Sequence, residues 1–188
     1  MPTPQQPPST TSGHITALAY LDKYKRAVAQ APVNIRTFYA PVDDVAGALS
    51  ELIDSATHSV VVAMFGFDDP RLADAIRRKL VAPNVFVQLT LDASQAAGTH
   101  EAELLKRENY PATSIAIGAS EHGRIMHLKM CIVDGRYTVT GSTNWSLAAE
   151  TLQDNQLTII DDFTVAAEAR SRIDAIHAHI VNKGRSNA

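Results

Sequence analysis

The sequence predicts an α/β fold, an α/β/α sandwich on a mixed central β-sheet. Three observations carry this. Short apolar strand patterns alternate with helical patterns from Val33 to Ala119. The rhythm then changes, and two strand patterns flank Gly135-Arg136, a hairpin signal. A final strand pattern leads into a long amphipathic helix that fills the C-terminus.

Each element has a local reason. In the stretch from Ile15 to Ala31, Ile15, Leu18, Leu21, Tyr24 and Val28 recur at helical spacing, with Pro32 beyond. "VNIRTFYA" alternates as a strand does. The next helix opens at Asp43 or Asp44 and stripes Val45, Leu49, Leu52 and Ile53 along one face. "SVVVAMFGF" is almost continuously apolar, the pattern of a central strand covered on both faces. A helix follows with Pro70 in its first turn, where a missing N–H costs nothing. "NVFVQLTLD" reads as a strand, "THEAELLKREN" as a helix stopped by Pro111, and "SIAIGA" as a short strand. "IMHLKMCIVD" and "YTVTGS" form the hairpin, with a short helix from about Trp145 to Glu150 after it. "NQLTIID" is the last strand. The last helix turns Val165, Ala169, Ile173, Ile176 and Ile180 to one side.

Residues 1–13 are rich in Pro, Gln, Ser and Thr and read as a disordered tail, leaving residues 14–188 as one domain. Hydrophobic residues make up 45% of the chain and charged residues 20%, enough for an ordinary core. The net charge of -3 argues against a strongly basic nucleic-acid coat, while leaving room for a local basic site. No run approaches the ~18 apolar residues of a membrane span, so no stable membrane association is expected. The N-terminus lacks the pattern of a secretory signal, and the single cysteine, Cys131, excludes an intrachain disulfide. A cytoplasmic location fits both. Cys131 sits in an apolar run and reads as a small buried side chain.

The chemistry concentrates in "HLKMCIVDGRYTVTGSTNWS". Residues two apart on a strand share a face, so His127 and Lys129 point the same way. Asp134 stands at the strand end. The chain returns to Gly141, where a tight turn brings Ser142 and Asn144 back alongside. An imidazole, an ammonium, a hydroxyl and an amide at one sheet end suit a phosphodiester. Lys129 and Asn144 can hold its non-bridging oxygens, Ser142 can add a hydrogen bond, and neutral His127 can attack phosphorus.

The spacing resembles the phospholipase D superfamily signature, H-x-K-x4-D-x6-G-S-x-N, at every fixed position: His127, Lys129, Asp134, Gly141, Ser142 and Asn144. Six fixed positions arise by chance with a probability on the order of 10^-6. The segments "LDASQAAG" and "HGRIMH", and the stretch from Phe38 to Ile76, are similar to those of the small single-motif bacterial endonucleases of that superfamily, so the resemblance covers roughly Asn34 to Ile180. It implies a phospholipase D-like fold and hydrolysis through a covalent phosphohistidine, with no cofactor and no metal. In-line displacement separates nucleophile and leaving group across phosphorus, so one imidazole cannot serve both. A chain with one HxK is therefore expected to pair as a homodimer sharing one site.

The resemblance also implies a carboxylate on the following strand to orient the histidine. Asn155 stands there, and its amide oxygen can accept a hydrogen bond while stabilising an imidazolium less well. Asp134, counted with the catalytic set, reads first as structural, binding backbone N–H groups at its turn. Ser94 and Gln95 are placed to line the cleft, because ligands gather at strand ends. Arg124 and Arg136 flank the motif strand as candidate phosphate contacts. Trp145 reads as core. His177 and His179, two apart on a helix, read as solvated. The expected substrate is DNA or RNA. The alternatives are a phospholipase or phosphatidyltransferase, and a catalytically weak nucleic-acid-binding module.

Overall fold

Among the described residues, seven strands form one sheet in the order β1-β7-β6-β5-β2-β3-β4. In chain order they are β1 (Ile35–Ala40), β2 (Ser59–Met64), β3 (Phe86–Asp92), β4 (Ile115–Gly118), β5 (Lys129–Val133), β6 (Tyr137–Gly141) and β7 (Asn155–Asp161). Strands β2, β3 and β4 are parallel, and the remaining pairings are antiparallel. The sheet is therefore mixed, as the change of rhythm in the sequence predicts. The helices are α1 (Val45–Asp54), α2 (Pro70–Leu80), α3 (Ala93–Ala96), α4 (Thr99–Glu108), α5 (Leu147–Thr151) and α6 (Phe163–Ser186). This computed structural model describes residues 17–27 and 31–186. The tail expected over residues 1–13, together with Ile15 and Val28, lies outside them.

The two faces of β2 bury two different cores. Val60, Val62 and Met64 join Leu49, Leu52 and Ile53 of α1 and Leu72 and Ile76 of α2. Val61 and Ala63 point the other way, to Ile173, Ile176 and Ile180 of α6. This explains the unbroken apolar run from Val60 to Met64, since both faces of the strand are dry. Asp44 caps α1, accepting the Gly47 N–H at 2.8 Å, and Asp69 caps α2, accepting from Leu72 at 2.9 Å with Pro70 behind it.

Three local expectations change. The first helix is only a 3-10 turn, Leu18–Tyr24. Lys25 is extended, and the Arg26 N–H bonds to Asp43 Oδ1 at 2.8 Å instead of a helical carbonyl, so the β1–α1 loop ends the turn. On α6, Ala166 is buried with Ile173, Ile176 and Ile180, while Val165 is rotated outward. His177 is not solvated. Its Nδ1 meets Thr90 Oγ1 of β3 at 2.9 Å, and burial lowers its pKa. His179 Nε2 is likewise buried. Trp145 and Cys131 are core residues, as their surroundings in the sequence predict.

Candidate active site

The site forms where β2 and β3 end and β5 begins, the strand-end position at which ligands gather in such sheets. His127 lies just before β5 and is exposed. Lys129, the first residue of β5, is nearly buried. Lys129 Nζ lies 2.8 Å from His127 Nε2 and donates to the His127 carbonyl at 3.1 Å. An ammonium donating to Nε2 selects the neutral tautomer with its proton on Nδ1. Burial strips hydration from the Lys129 ammonium and lowers its pKa from the ordinary value, a penalty that a bound anion would relieve.

Phe65, immediately beyond β2, supports both residues. Its ring meets the His127 imidazole edge-on at 4.5 Å, and Lys129 Nζ stands 4.9 Å from its centroid. The Phe65 N–H donates to the Leu128 carbonyl at 2.9 Å, which fixes the two segments together. The sequence hid Phe65 inside an apolar run. The available signal was its position at a strand end.

Asn144 seats on Gly66, the residue after Phe65. A Cβ on Gly66 would lie 3.3 Å from Asn144 Cγ, so the residue beneath must be small. Asn144 Oδ1 is buried without a partner, an acceptor left open beside the histidine platform. The following residue, Trp145, donates its N–H to the Gly66 carbonyl at 3.0 Å and accepts from Asp68 and Asp69 at 2.8 and 3.0 Å. The motif loop and the β2 loop are thus bolted together through the backbone.

The other expected residues divide. Ser142 Oγ donates to Asn155 Oδ1 at 2.9 Å and accepts from the Gln156 N–H at 3.0 Å, so its hydroxyl is committed to the sheet end. Asn155 uses its amide in both senses, with Nδ2 donating to the Ala149 carbonyl at 3.1 Å. It fastens α5 to β7 rather than bonding the imidazole of its own chain. A carboxylate at this position would face the Ala149 carbonyl without a proton to offer. Asp92 caps α3, accepting from both the N–H and the hydroxyl of Ser94, and Gln95 follows on the helix, both at the same sheet end as His127. Arg124 is exposed, three residues before His127.

Asp134 and Arg136 lie elsewhere. They sit at the far end of β5, roughly 17 Å along the strand from Lys129. Asp134 takes a positive φ of 54° and accepts backbone N–H bonds from Thr57, His58 and Ser59. Arg136 is paired with Asp161 at 2.5 and 2.7 Å. Neither can touch a phosphate held by Lys129. Asp134 therefore ties the β5–β6 turn to the start of β2. Burial raises its pKa, but the Ser59, Thr57 and His58 N–H groups outweigh this and leave it below its ordinary 3.8. A depressed carboxyl contributes stability that is complete above the unfolded value and is lost as pH falls through the folded one. Asp134→Ala is expected to lower stability by about 2 kcal/mol at neutral pH. In denaturant titrations the difference between wild type and variant should begin to shrink near pH 4 and go on shrinking as pH falls through the lower folded value.

Comparison with known proteins agrees with the fold. The chain is 26% identical over 132 residues to a Chlamydomonas reinhardtii protein named mitochondrial cardiolipin hydrolase, covering 69% of this chain and 57% of that one. This chain thus spans little more than half of that relative. Among solved structures, the phospholipase D family member Nuc from Salmonella typhimurium superposes with a TM-score of 0.66 at 25% identity, over 76% of this chain and 92% of Nuc. NucT from Helicobacter pylori gives the same TM-score and identity, over 76% of this chain and 94% of NucT. Residues 49–177 match the family described as "Cardiolipin synthase, PLD-like domain". That match contains the sheet centre and all six fixed residues from His127 to Asn144, so the chain belongs to the phospholipase D-like domain family.

Proposed function

We propose that the protein is a metal-independent phosphodiester hydrolase that cuts DNA or RNA with little sequence preference through a phosphohistidine on His127. One observation carries this reading: an exposed His127 whose Nε2 lies 2.8 Å from a nearly buried lysine. An incoming phosphate draws the Lys129 ammonium onto a non-bridging oxygen, which frees the Nε2 lone pair. Nε2 attacks phosphorus, the P–N bond forms, and the P–O bond to the leaving group breaks. A second imidazole gives the leaving oxygen its proton. It then takes a proton from water as water attacks phosphorus and the P–N bond breaks. The second imidazole is His127 of a second copy, so the site is shared across a homodimer. The segments flanking the motif support this pairing. Ile125, Leu147 and Leu152 are exposed apolar side chains there.

The nucleic-acid substrate is supported by the motif's likeness to small single-motif nucleases and by the near-complete coverage of Nuc and NucT. Arg124, Ser94 and Gln95 are the proposed flanking contacts to the polymer backbone. A phospholipid substrate is the second reading, favoured by the name of the algal relative. Among the described residues no helix is long and apolar enough to cross a membrane.

Plasmid DNA, single-stranded RNA, phosphatidylcholine and cardiolipin vesicles, each incubated in EDTA, separate the readings. Cleavage of DNA or RNA is expected, with a bell-shaped pH profile, because one histidine must start neutral and the other protonated. Lipid cleavage alone would move the assignment to the second reading. Activity that EDTA abolishes would overturn the metal-independent mechanism.

A further inference from the structure

We infer that Glu101 is a positioning residue for this site: its carboxylate holds the Phe65–Phe67 loop on which His127, Lys129 and Asn144 rest. The role rests on the hydrolase reading above. Glu101 lies in the first turn of α4 and is only 4% exposed. Its Oε2 accepts the Phe67 N–H at 2.8 Å. Phe67 is itself fixed on Trp145, with ring centroids 5.7 Å apart and a parallel bridge between the two backbones. Phe65 and Gly66 immediately precede it. Phe65 supports His127 and Lys129, and Gly66 seats Asn144. The hydrogen bond from α4 therefore joins the backbone bonds to Leu128 and Trp145 in setting the height of the platform, and it is the one a side chain supplies.

The other oxygen, Glu101 Oε1, is buried with no partner among the described residues. Burial pushes the carboxyl up, the Phe67 N–H pulls it down, and Asp68 and Asp92 push it up further, to about 7. A fold that needed only packing here would place an apolar side chain, since a half-satisfied buried carboxyl is unfavourable for stability. Residues that break such rules concentrate where function requires them. The Glu101 oxygen accepts from an N–H in either protonation state, so the role needs an acceptor rather than a charge. A second buried carboxylate, Asp92, braces the opposite segment, accepting the Met126 N–H beside His127 at 2.6 Å.

The full chain with Glu101→Met and with Glu101→Gln tests this. Methionine matches the volume and unbranched shape but removes the acceptor, and glutamine keeps an acceptor. With bis(p-nitrophenyl) phosphate in EDTA, Glu101→Met should lower kcat about 10²-fold with little change in KM. Its Tm should move little, because removing a desolvated carboxyl offsets orphaning the Phe67 N–H. Glu101→Gln should restore kcat to within about threefold of wild type on the same acceptor logic. The His127 ring resonances, set by the Phe65 ring beside them, should shift in Glu101→Met and stay in place in Glu101→Gln. Unchanged kcat and ring resonances in Glu101→Met, or equal losses in both variants, would overturn the assignment. The resonances are read without turnover. A wild-type protein that hydrolyses nothing would sink the hydrolase reading and leave the role of Glu101 still decided by them.

Discussion

His127→Ala should lower hydrolysis by at least about 10³-fold while leaving the fold intact, because His127 is exposed and no core contact depends on it. Its mixing behaviour is the sharper result. If each site draws one His127 from each chain, a dimer with a single alanine lacks either the nucleophile or the proton donor. Equimolar wild-type and His127→Ala chains, allowed to exchange subunits, should retain about a quarter of the wild-type activity, since only that share of dimers carries both histidines. A monomeric enzyme would retain about half under the same conditions. Sedimentation of the same mixture reports whether the chains are paired. Activity that falls in simple proportion to the wild-type fraction, in a sample that sediments as monomer, would end the shared-site proposal.

The half of the site visible in the sequence is the half built by local geometry. His127 and Lys129 are two apart on one strand, so periodicity alone places them together, and the structure brings Nζ to 2.8 Å from Nε2. The mixed character of the sheet was legible too, since spacing distinguishes a hairpin from a crossover, whereas the strand order was not. Linear spacing does not show which partner a side chain meets across the sheet. Asp134 reads at the strand end, and there it accepts the Thr57, His58 and Ser59 N–H groups, but that Arg136 beside it is taken by Asp161 appears only in the fold. Likewise, Ser142 and Asn155 are near the site but bond each other, because β6 and β7 must close there. Glu101 and Asp92 were missed outright. A carboxylate in the first turn of a helix reads as a favourable helix-dipole partner, and nothing local reveals that its oxygen meets an N–H 34 residues away in the chain. Only tertiary packing makes these two residues part of the site.

Gly141 shows how little tolerance that packing leaves. Its φ is +152°, and a Cβ there would lie 2.1 Å from the Gln156 carbonyl oxygen and 3.0 Å from Leu157 Cα. That same oxygen accepts the Ser142 N–H at 2.9 Å. An alanine must therefore push β6 and β7 apart where Ser142, Gln156 and Asn155 fasten the motif loop, and it must hold a backbone conformation that side chains avoid. Gly141→Ala is expected to cost about 3 kcal/mol or more, lowering Tm by roughly 10 °C for a chain of this size. Turnover should fall more than about tenfold even well below the transition, because Asn144 loses its seat on Gly66. Gly135 supplies the control. Its φ is +62°, but nothing lies within 4 Å of an added Cβ. Gly135→Ala should show the backbone penalty alone, about 1 kcal/mol, with activity retained. Equal Tm losses in the two variants would mean that the strain of the conformation, and not the approach of β7, explains the glycine. A larger loss at Gly141, coupled to lost turnover, is what a sheet end closed tightly enough to aim Asn144 requires.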